Sequence, residues 1–263
     1  MTATDKTSLG DRMKAYEDTY DTPIINRIPV IIRCDGKGFS KWTKKQQMLK
    51  PFDDRLCKAM ANTMLEVASH IEGCVFGYTQ SDEITFVIRN DQSTESEPWF
   101  GNRIQKMASI VSSMVTAHFN NKMLGPIAYF DARVFGVPTI TEAINCLVWR
   151  QNDATKNSIS CAAYYEVGKV KGKKTARNLM HGLNQKQQQE LLFKETNINW
   201  NDYPTMYKRG LGCYREKAIY NGPNGTIYER NPWKIDEELP VFAKNQEFLI
   251  KIMTKEESNG NAI

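Results

Sequence analysis

No stretch of the 263 residues approaches the eighteen or more consecutive apolar side chains that a membrane-spanning helix needs, so no membrane partner is expected. The opening residues, Met1-Thr2-Ala3-Thr4-Asp5-Lys6, lack the basic-then-apolar order of a secretory leader, which points to an intracellular, cytoplasmic protein. Histidine is scarce. His70, His118 and His181 lie far apart and outside the acidic segments, which argues against histidine acid–base catalysis and His-based zinc. The six cysteines (Cys34, Cys57, Cys74, Cys146, Cys161, Cys213) contain no Cys-x-x-Cys pair, so neither a zinc site nor a disulfide framework is signalled. Reduced thiols, most of them buried, are expected. Internal repeats and low-complexity tracts are absent too. What is present is ordinary globular composition, 41% hydrophobic and 25% charged, enough for one large core or a core with an appendage.

A net charge of +5 is a modest basic bias that selects no partner by itself. Its distribution is more informative. Basic residues gather at Lys41, Lys44, Lys45 and Lys50, at Lys169, Lys171, Lys173, Lys174 and Arg177, and around Lys208, Arg209, Arg215 and Lys217. Each cluster alone reads as a solvated face; together they keep a nucleic acid in view.

Apolar patterning divides the chain. Ile28 to Cys34 is a short β-branched run, the mark of a buried strand, and it stops at Asp35-Gly36-Lys37-Gly38, where glycines break regular structure. From Asp53 onward Leu56, Met60, Met64, Val67 and Ile71 recur at three- and four-residue steps, predicting an amphipathic helix that ends at Gly73. Two strand-like runs, Cys74 to Tyr78 and Ile84 to Ile88, flank Thr79-Gln80-Ser81-Asp82-Glu83, a connection short enough for a hairpin. A second helix is predicted from about Asn102 to Asn120, and a further strand over Ala128 to Phe135.

The order β-α-β-β-α-β predicts an α+β fold of the split, ferredoxin-like kind, an antiparallel sheet with helices on one face. Residues 1–138 form the expected core. Residues 139–263 read as an appendage completing the same domain, helix-rich to about Tyr165, then irregular and basic, with a mobile tail from Glu256 to Ile263.

In such a sheet the first strand and the central hairpin are neighbours, so Asp35 and the pair Asp82-Glu83 are expected to converge although far apart in sequence. Taken singly, Asp35-Gly36 is an ordinary turn and Ser81-Asp82-Glu83 a polar hairpin tip. Taken jointly, an acid at the end of a buried strand needs a partner or a metal. Magnesium is a hard ion held by one or two carboxylates, water and substrate phosphates. Two such ions about 3.5–4 Å apart activate an attacking oxygen and stabilise a leaving pyrophosphate. Gly36 offers its carbonyl as a third ligand. Phosphate is expected to meet Lys50, and Arg103 and Lys106 near the start of the second helix.

Six segments resemble, in order, those of the tRNA(His) guanylyltransferase family and its Thg1-like relatives. They are Arg33-Cys34-Asp35-Gly36-Lys37-Gly38-Phe39, Lys50-Pro51-Phe52-Asp53, Tyr78-Thr79-Gln80-Ser81-Asp82-Glu83, Phe130-Asp131-Ala132-Arg133, Trp149-Arg150-Gln151-Asn152-Asp153 and Ile198-Asn199-Trp200-Asn201. The resemblance implies a polymerase-like palm, two Mg2+ ions on Asp35, Gly36 and Asp82, ATP or GTP as substrates, tRNA as partner and a homotetramer. Glu83 matches an acidic residue important in the family. Nucleotide or triphosphate handling is implied for Arg33, Lys37, Gly38, Phe39, Lys50, Asp53, Ser81, Arg103 and Lys106. RNA contact is expected of Arg133, Arg150, Lys173, Lys174, Arg177, Lys208 and Arg209.

Two departures stand out. After Trp149 to Asp153, eukaryotic guanylyltransferases continue with cysteine and His-Ile-Asn-Asn, whereas this chain reads Ala154-Thr155-Lys156-Asn157-Ser158. That resembles the Thg1-like branch, associated with template-dependent 3′-to-5′ addition that repairs 5′-truncated tRNAs. The alternative is addition of a single guanosine to tRNA(His). The second departure is Phe52, where the family has asparagine. Two rivals lie further off. A nucleotide cyclase would need Gly-Gly-Asp-Glu-Phe at the hairpin, where this chain has Gln80-Ser81-Asp82-Glu83-Ile84. A non-catalytic RNA-binding protein would have no need of Asp35 and Asp82 together.

Overall fold

β-Branched side chains fill both faces of an extended backbone with little loss of rotamer freedom. Val30, Ile31 and Ile32 accordingly seed the central strand. In the computed structural model of the protein, β1 spans Val30–Gly36, and these three side chains are fully buried. The structure describes residues 7–92, 96–221 and 226–254; the opening segment Met1 to Lys6 and the tail from Glu256 lie outside them.

The described elements follow in chain order: α1 (Leu9–Asp18), β1, α2 (Phe39–Lys45), α3 (Asp54–Ser69), β2 (Cys74–Gln80), β3 (Glu83–Ile88), α4 (Ile104–Lys122), β4 (Phe130–Gly136) and α5 (Ile140–Lys171). Then come α6 (Lys173–Met180), α7 (Gln185–Thr196), α8 (Thr205–Arg209), β5 (Leu211–Arg215), β6 (Ala218–Asn221), β7 (Ile227–Arg230), β8 (Trp233–Asp236) and α9 (Gln246–Met253). Six strands form one antiparallel sheet in the order β4-β1-β3-β2-β5-β8, and β6 and β7 pair as a separate hairpin. The first four strands have the ferredoxin-like order that the pattern predicts.

Period-two alternation gives the sheet two apolar faces. Val30, Ile32, Cys34, Ile84, Phe86 and Ile88 meet the stripes of α3 and α4, including Met60, Met64, Val111 and Phe119. This is the helix layer that the core supplies. The opposite face, with Ile31, Phe76, Tyr78 and Val87, is covered by Ala143, Ile144 and Leu147 of α5 and by Leu249 and Met253 of α9. The chain after residue 139 therefore closes the second face and adds β5 and β8 to the sheet.

The stretch after Tyr165 is not irregular, contrary to the sequence pattern. α5 runs on to Lys171, and α6, α7 and α8 follow. Their apolar signal is faint because α6 buries only Ala176 and α7 only Leu192, both helices resting on the long α5. Gln151 ties α5 to the segment between β8 and α9: its Nε2 donates to the Pro240 carbonyl (2.9 Å) and its Oε1 accepts from the Phe242 amide (2.7 Å). All six cysteines are free thiols, three of them buried and three half-buried. Among the described residues, no helix is long and apolar enough to cross a membrane.

Candidate active site

Antiparallel pairing sets Asp35, near the end of β1, directly across from Glu83 at the start of β3. The Gly36 amide donates to the Asp82 carbonyl (3.1 Å), which joins the strand end to the hairpin tip. That tip is a two-residue loop in which Ser81 has a left-handed φ of 52°, a conformation uncommon for a residue with a side chain. The Ser81 hydroxyl donates to the Asp82 carboxylate (2.9 Å) and so orients it. Burial, and then the charge of Asp35, push the Asp82 carboxyl above its ordinary range, while the Ser81 bond and Lys50 act against that.

Two glycines after Asp35 shape the approach. A methyl group on Gly36 would lie 2.2 Å from the Phe39 ring, and Gly38, at a φ of 67°, turns the chain into α2. Phe39 is buried, packed on Trp42, Phe119 and Phe130 with ring centroids 5.0, 5.6 and 5.1 Å away. Lys37 is exposed, and its amide donates to the Tyr129 carbonyl.

These residues open on a cavity of ≈ 460 Å³, a volume that suits a small-molecule ligand. Asp35, Gly36, Ser81 and Asp82 form one wall. Thr43, Lys50, Phe52 and Asp53 form a second, and Ala154, Asn157 and Ser158 of α5 with Met206 and Tyr207 of α8 a third. Lys50 is half-buried; its Nζ donates to the Thr43 hydroxyl (3.4 Å). Phe52 stacks on Tyr207 with centroids 4.7 Å apart and planes 10° from parallel, and Tyr203 meets it edge-on.

Asp53 has a structural task here. It caps α3, accepts the Leu49 amide (2.7 Å) and pairs with Arg55 (2.7 Å). The Arg55 hydrogen bond is the chief reason its carboxyl is lowered to about 2.

Several expected site residues lie elsewhere. Glu83 is buried and does not line the cavity; Arg150 grips it with two hydrogen bonds of 2.5 and 2.8 Å and also reaches Asp153 (3.1 Å). Burial pushes the Glu83 carboxyl up, and Arg150 opposes this. Arg150, expected on RNA, is thus withdrawn into the fold as the counter-ion of Glu83. Arg103 and Lys106 sit at the wrong end of the molecule for phosphates beside Asp35. α4 starts there and ends near β4's first residues, so its 19 residues, about 28 Å, separate them from the acidic edge. Arg103 pairs with Asp21 (2.7 Å), and Lys106 lies 4.8 Å from the Phe100 ring centroid.

The remaining basic candidates divide. Lys173, Lys174 and Arg177 are exposed on α6, and Arg133 is exposed on β4, 3.9 Å from Asp131. Lys208 and Arg209 are half-buried and hydrogen-bonded to protein: Lys208 donates to the Asn201 carbonyl, and Arg209 to the Leu239 carbonyl and the Thr205 hydroxyl. Arg33 lies beside the ring of Trp149, its guanidinium 5.4 Å from the centroid. Tyr207, Met206 and Thr43 carry no sequence signal as cavity residues. Asn157 and Ser158 do, since both fall in the segment that departs from the eukaryotic pattern.

Among the described residues no three His, Cys, Asp or Glu side chains cluster as a metal cage. Asp35 and Asp82 with the Gly36 carbonyl are nevertheless a donor set of hard oxygens, and the burial and, to a lesser degree, the Asp35 charge that raise Asp82 are what a divalent cation offsets. The set fits magnesium completed by substrate phosphates.

The family model for Thg1, tRNAHis guanylyltransferase, matches residues 10–138, and that for the Thg1 C-terminal domain matches 142–256. A probable tRNA(His) guanylyltransferase of Drosophila melanogaster is 30% identical over 216 residues, 79% of this chain and 73% of that protein. A bacterial tRNA(His) guanylyltransferase (Thg1)-like protein solved in complex with ATP superposes at a TM-score of 0.81. It is 37% identical, over 95% of this chain and 100% of that one. A structure described in the same words, in complex with GTP, superposes at 0.79, with the same identity and coverage.

Proposed function

The chain belongs to the tRNA(His) guanylyltransferase (Thg1) family of tRNA nucleotidyltransferases, and from that premise we propose that it repairs 5′-truncated tRNAs by template-dependent addition of nucleotides in the 3′-to-5′ direction. The observation that carries the reading is the shared cavity wall of Asp35, Gly36 and Asp82 beside Lys50 and the Phe52–Tyr207 stack. The choice of repair over guanosine addition is supported by Ala154, Asn157 and Ser158, which replace the eukaryotic motif on that same cavity.

The cavity's chemistry follows from its walls. The flat apolar face of Phe52 and Tyr207 takes a nucleobase, and the Asn157 amide and Ser158 hydroxyl lie at hand for its polar edge. Lys50 takes triphosphate charge. Asp35, Asp82 and the Gly36 carbonyl would hold two magnesium ions, which when bound lower the pKa of an attacking hydroxyl and neutralise a leaving pyrophosphate. The Ser81 hydroxyl orients the Asp82 carboxylate on that wall. First an oxygen of the RNA 5′-monophosphate forms a bond to the α-phosphorus of ATP or GTP, and the bond to pyrophosphate breaks. Then the 3′-hydroxyl of an incoming nucleotide bonds to the activated 5′-phosphorus and the nucleoside monophosphate leaves. The Arg150–Glu83 pair stands behind this wall as a brace. A homotetramer is part of the proposal, checked by sedimentation at the mass of four 30.1 kDa chains.

The test offers the full chain labelled nucleotides, magnesium and either a 5′-truncated tRNA or an intact tRNA(His). Extension of the truncated RNA, lost by roughly 100-fold or more in Asp35→Ala and in Asp82→Ala, is the expected result. Preference for the intact tRNA(His) would turn the reading to guanosine addition. Extension that survives both substitutions would remove the metal assignment.

A further inference from the structure

Arg33 and Asp35 lie two residues apart on one face of β1, roughly 7 Å along the strand. On that face Trp149 of α5 stands beside Arg33, and its ring is also met by Arg150, whose guanidinium is 4.5 Å from the centroid. Trp149 is 52% exposed, whereas Trp42, Trp99 and Trp200 are buried. Arg150 is held from behind by Glu83 and Asp153. Arg33 also acts on the Glu83 charge, but its buried Nε has no hydrogen-bond partner among the described residues. In the ladder Arg33 faces Arg133 of the edge strand β4, and Arg133 is exposed beside an equally exposed Asp131. An indole open to solvent, an unmet guanidinium donor and an exposed arginine thus form a strip that ends at the acidic edge.

A residue needed only to cover the Arg150–Glu83 pair would bury its own apolar surface. Trp149 leaves half of it in water, next to cations, which is how proteins present an aromatic face to unpaired nucleotides. We propose that Trp149 is the stacking platform for the 5′-terminal base of the RNA being extended, with Arg33 and Arg133 receiving the phosphates on its flank. This rests on the reading that an RNA 5′ end is the substrate. Stacking accepts any base, which suits a chain that extends truncated ends of varied sequence. The phosphate held at Arg33 is then delivered one residue pair from Asp35. Trp149 would touch the RNA base and not the reacting phosphates, so its loss is expected to raise the KM for RNA more than it lowers kcat.

The experiment uses the full chain and two probes: a 5′-monophosphorylated tRNA lacking its first nucleotide, and the same RNA with an abasic ribose at the 5′ end. Trp149→Ala is expected to weaken binding of the first about tenfold and of the abasic RNA not at all. In the unsubstituted protein the first RNA quenches tryptophan fluorescence more than the abasic one, and Trp149→Phe abolishes the difference. If Trp149→Ala is poorly folded, the Trp149→Phe quenching decides. Equal loss for both RNAs would mean that the indole only holds Arg33 and Arg150 in place; that result, or no loss, overturns the platform. Binding is read without catalysis. A chain that shows base-dependent binding but transfers no nucleotide therefore sinks the proposed function and leaves the platform standing.

Discussion

A methyl group at position 36 has no room. Its carbon would lie 2.2 Å from the Phe39 ring, itself wedged among Trp42, Phe119 and Phe130, so Gly36→Ala must displace a packed aromatic. The expected cost is about 1–3 kcal/mol, read as a lower midpoint in thermal or urea unfolding. Arg150→Ala is expected to cost more, about 3–5 kcal/mol, because it strands the Glu83 carboxylate in the interior. The double variant Glu83→Gln/Arg150→Ala should recover part of that loss; a double variant no more stable than Arg150→Ala would show that the pair is not coupled. Asp35, Gly36 and Asp82 are legible as candidates in the sequence because turn chemistry at the end of a buried strand is local. The engagement of Glu83 is not legible, since its partner lies 67 positions away on α5. Arg103 and Lys106 mislead for a related reason: a helix N-terminus attracts anions wherever it is, but the one after β3 opens at the end of the sheet that the hairpin tip faces away from.

α3 shows how a single cap supports an element. Asp53 accepts the Arg55 amide at the start of the helix and the Leu49 amide from the preceding loop, and Arg55 holds its carboxyl at about 2 against an ordinary 3.8. A carboxyl whose pKa is depressed on folding contributes stability that is complete above its unfolded value and is lost as the pH falls through the folded one. Asp53→Ala is therefore expected to lower Tm by near 3 °C at pH 7, about 1 kcal/mol, with the difference shrinking between about pH 4 and pH 2. A constant difference across that window would assign the effect to packing. At this scale the sequence is readable wherever an element has its own apolar stripe, as α3, α4 and the first four strands do. It is unreadable where the stripe belongs to a neighbour. α6 and α7 each bury one residue against α5, and β5 contains Gly212 and is only five residues long.

At the scale of the molecule the division at residue 138 cuts through a shared sheet. β5 and β8 extend it, and α5 and α9 cover its second face, where Ile31, Phe76, Tyr78 and Val87 would otherwise meet water. Two expectations follow. The full chain should unfold in one cooperative transition, and residues 1–138 alone should bind a hydrophobic dye and associate, as size-exclusion chromatography would show. A monomeric, dye-silent 1–138 fragment with a sharp melt would establish an autonomous core. This architecture is only half visible in composition and pattern, because the pairing of β2 with β5 depends on contacts across half of the chain.

That pairing also has a history in time. The Tyr78 hydroxyl reaches the Arg209 carbonyl 131 positions later, and β2 has no neighbour on that side until β5 is made. A ribosome adding about 5–20 residues per second leaves the edge bare for roughly 7–26 s. During each round of synthesis, a half-made palm presents an open strand edge to every other nascent chain nearby, the kind of surface that chaperones shield.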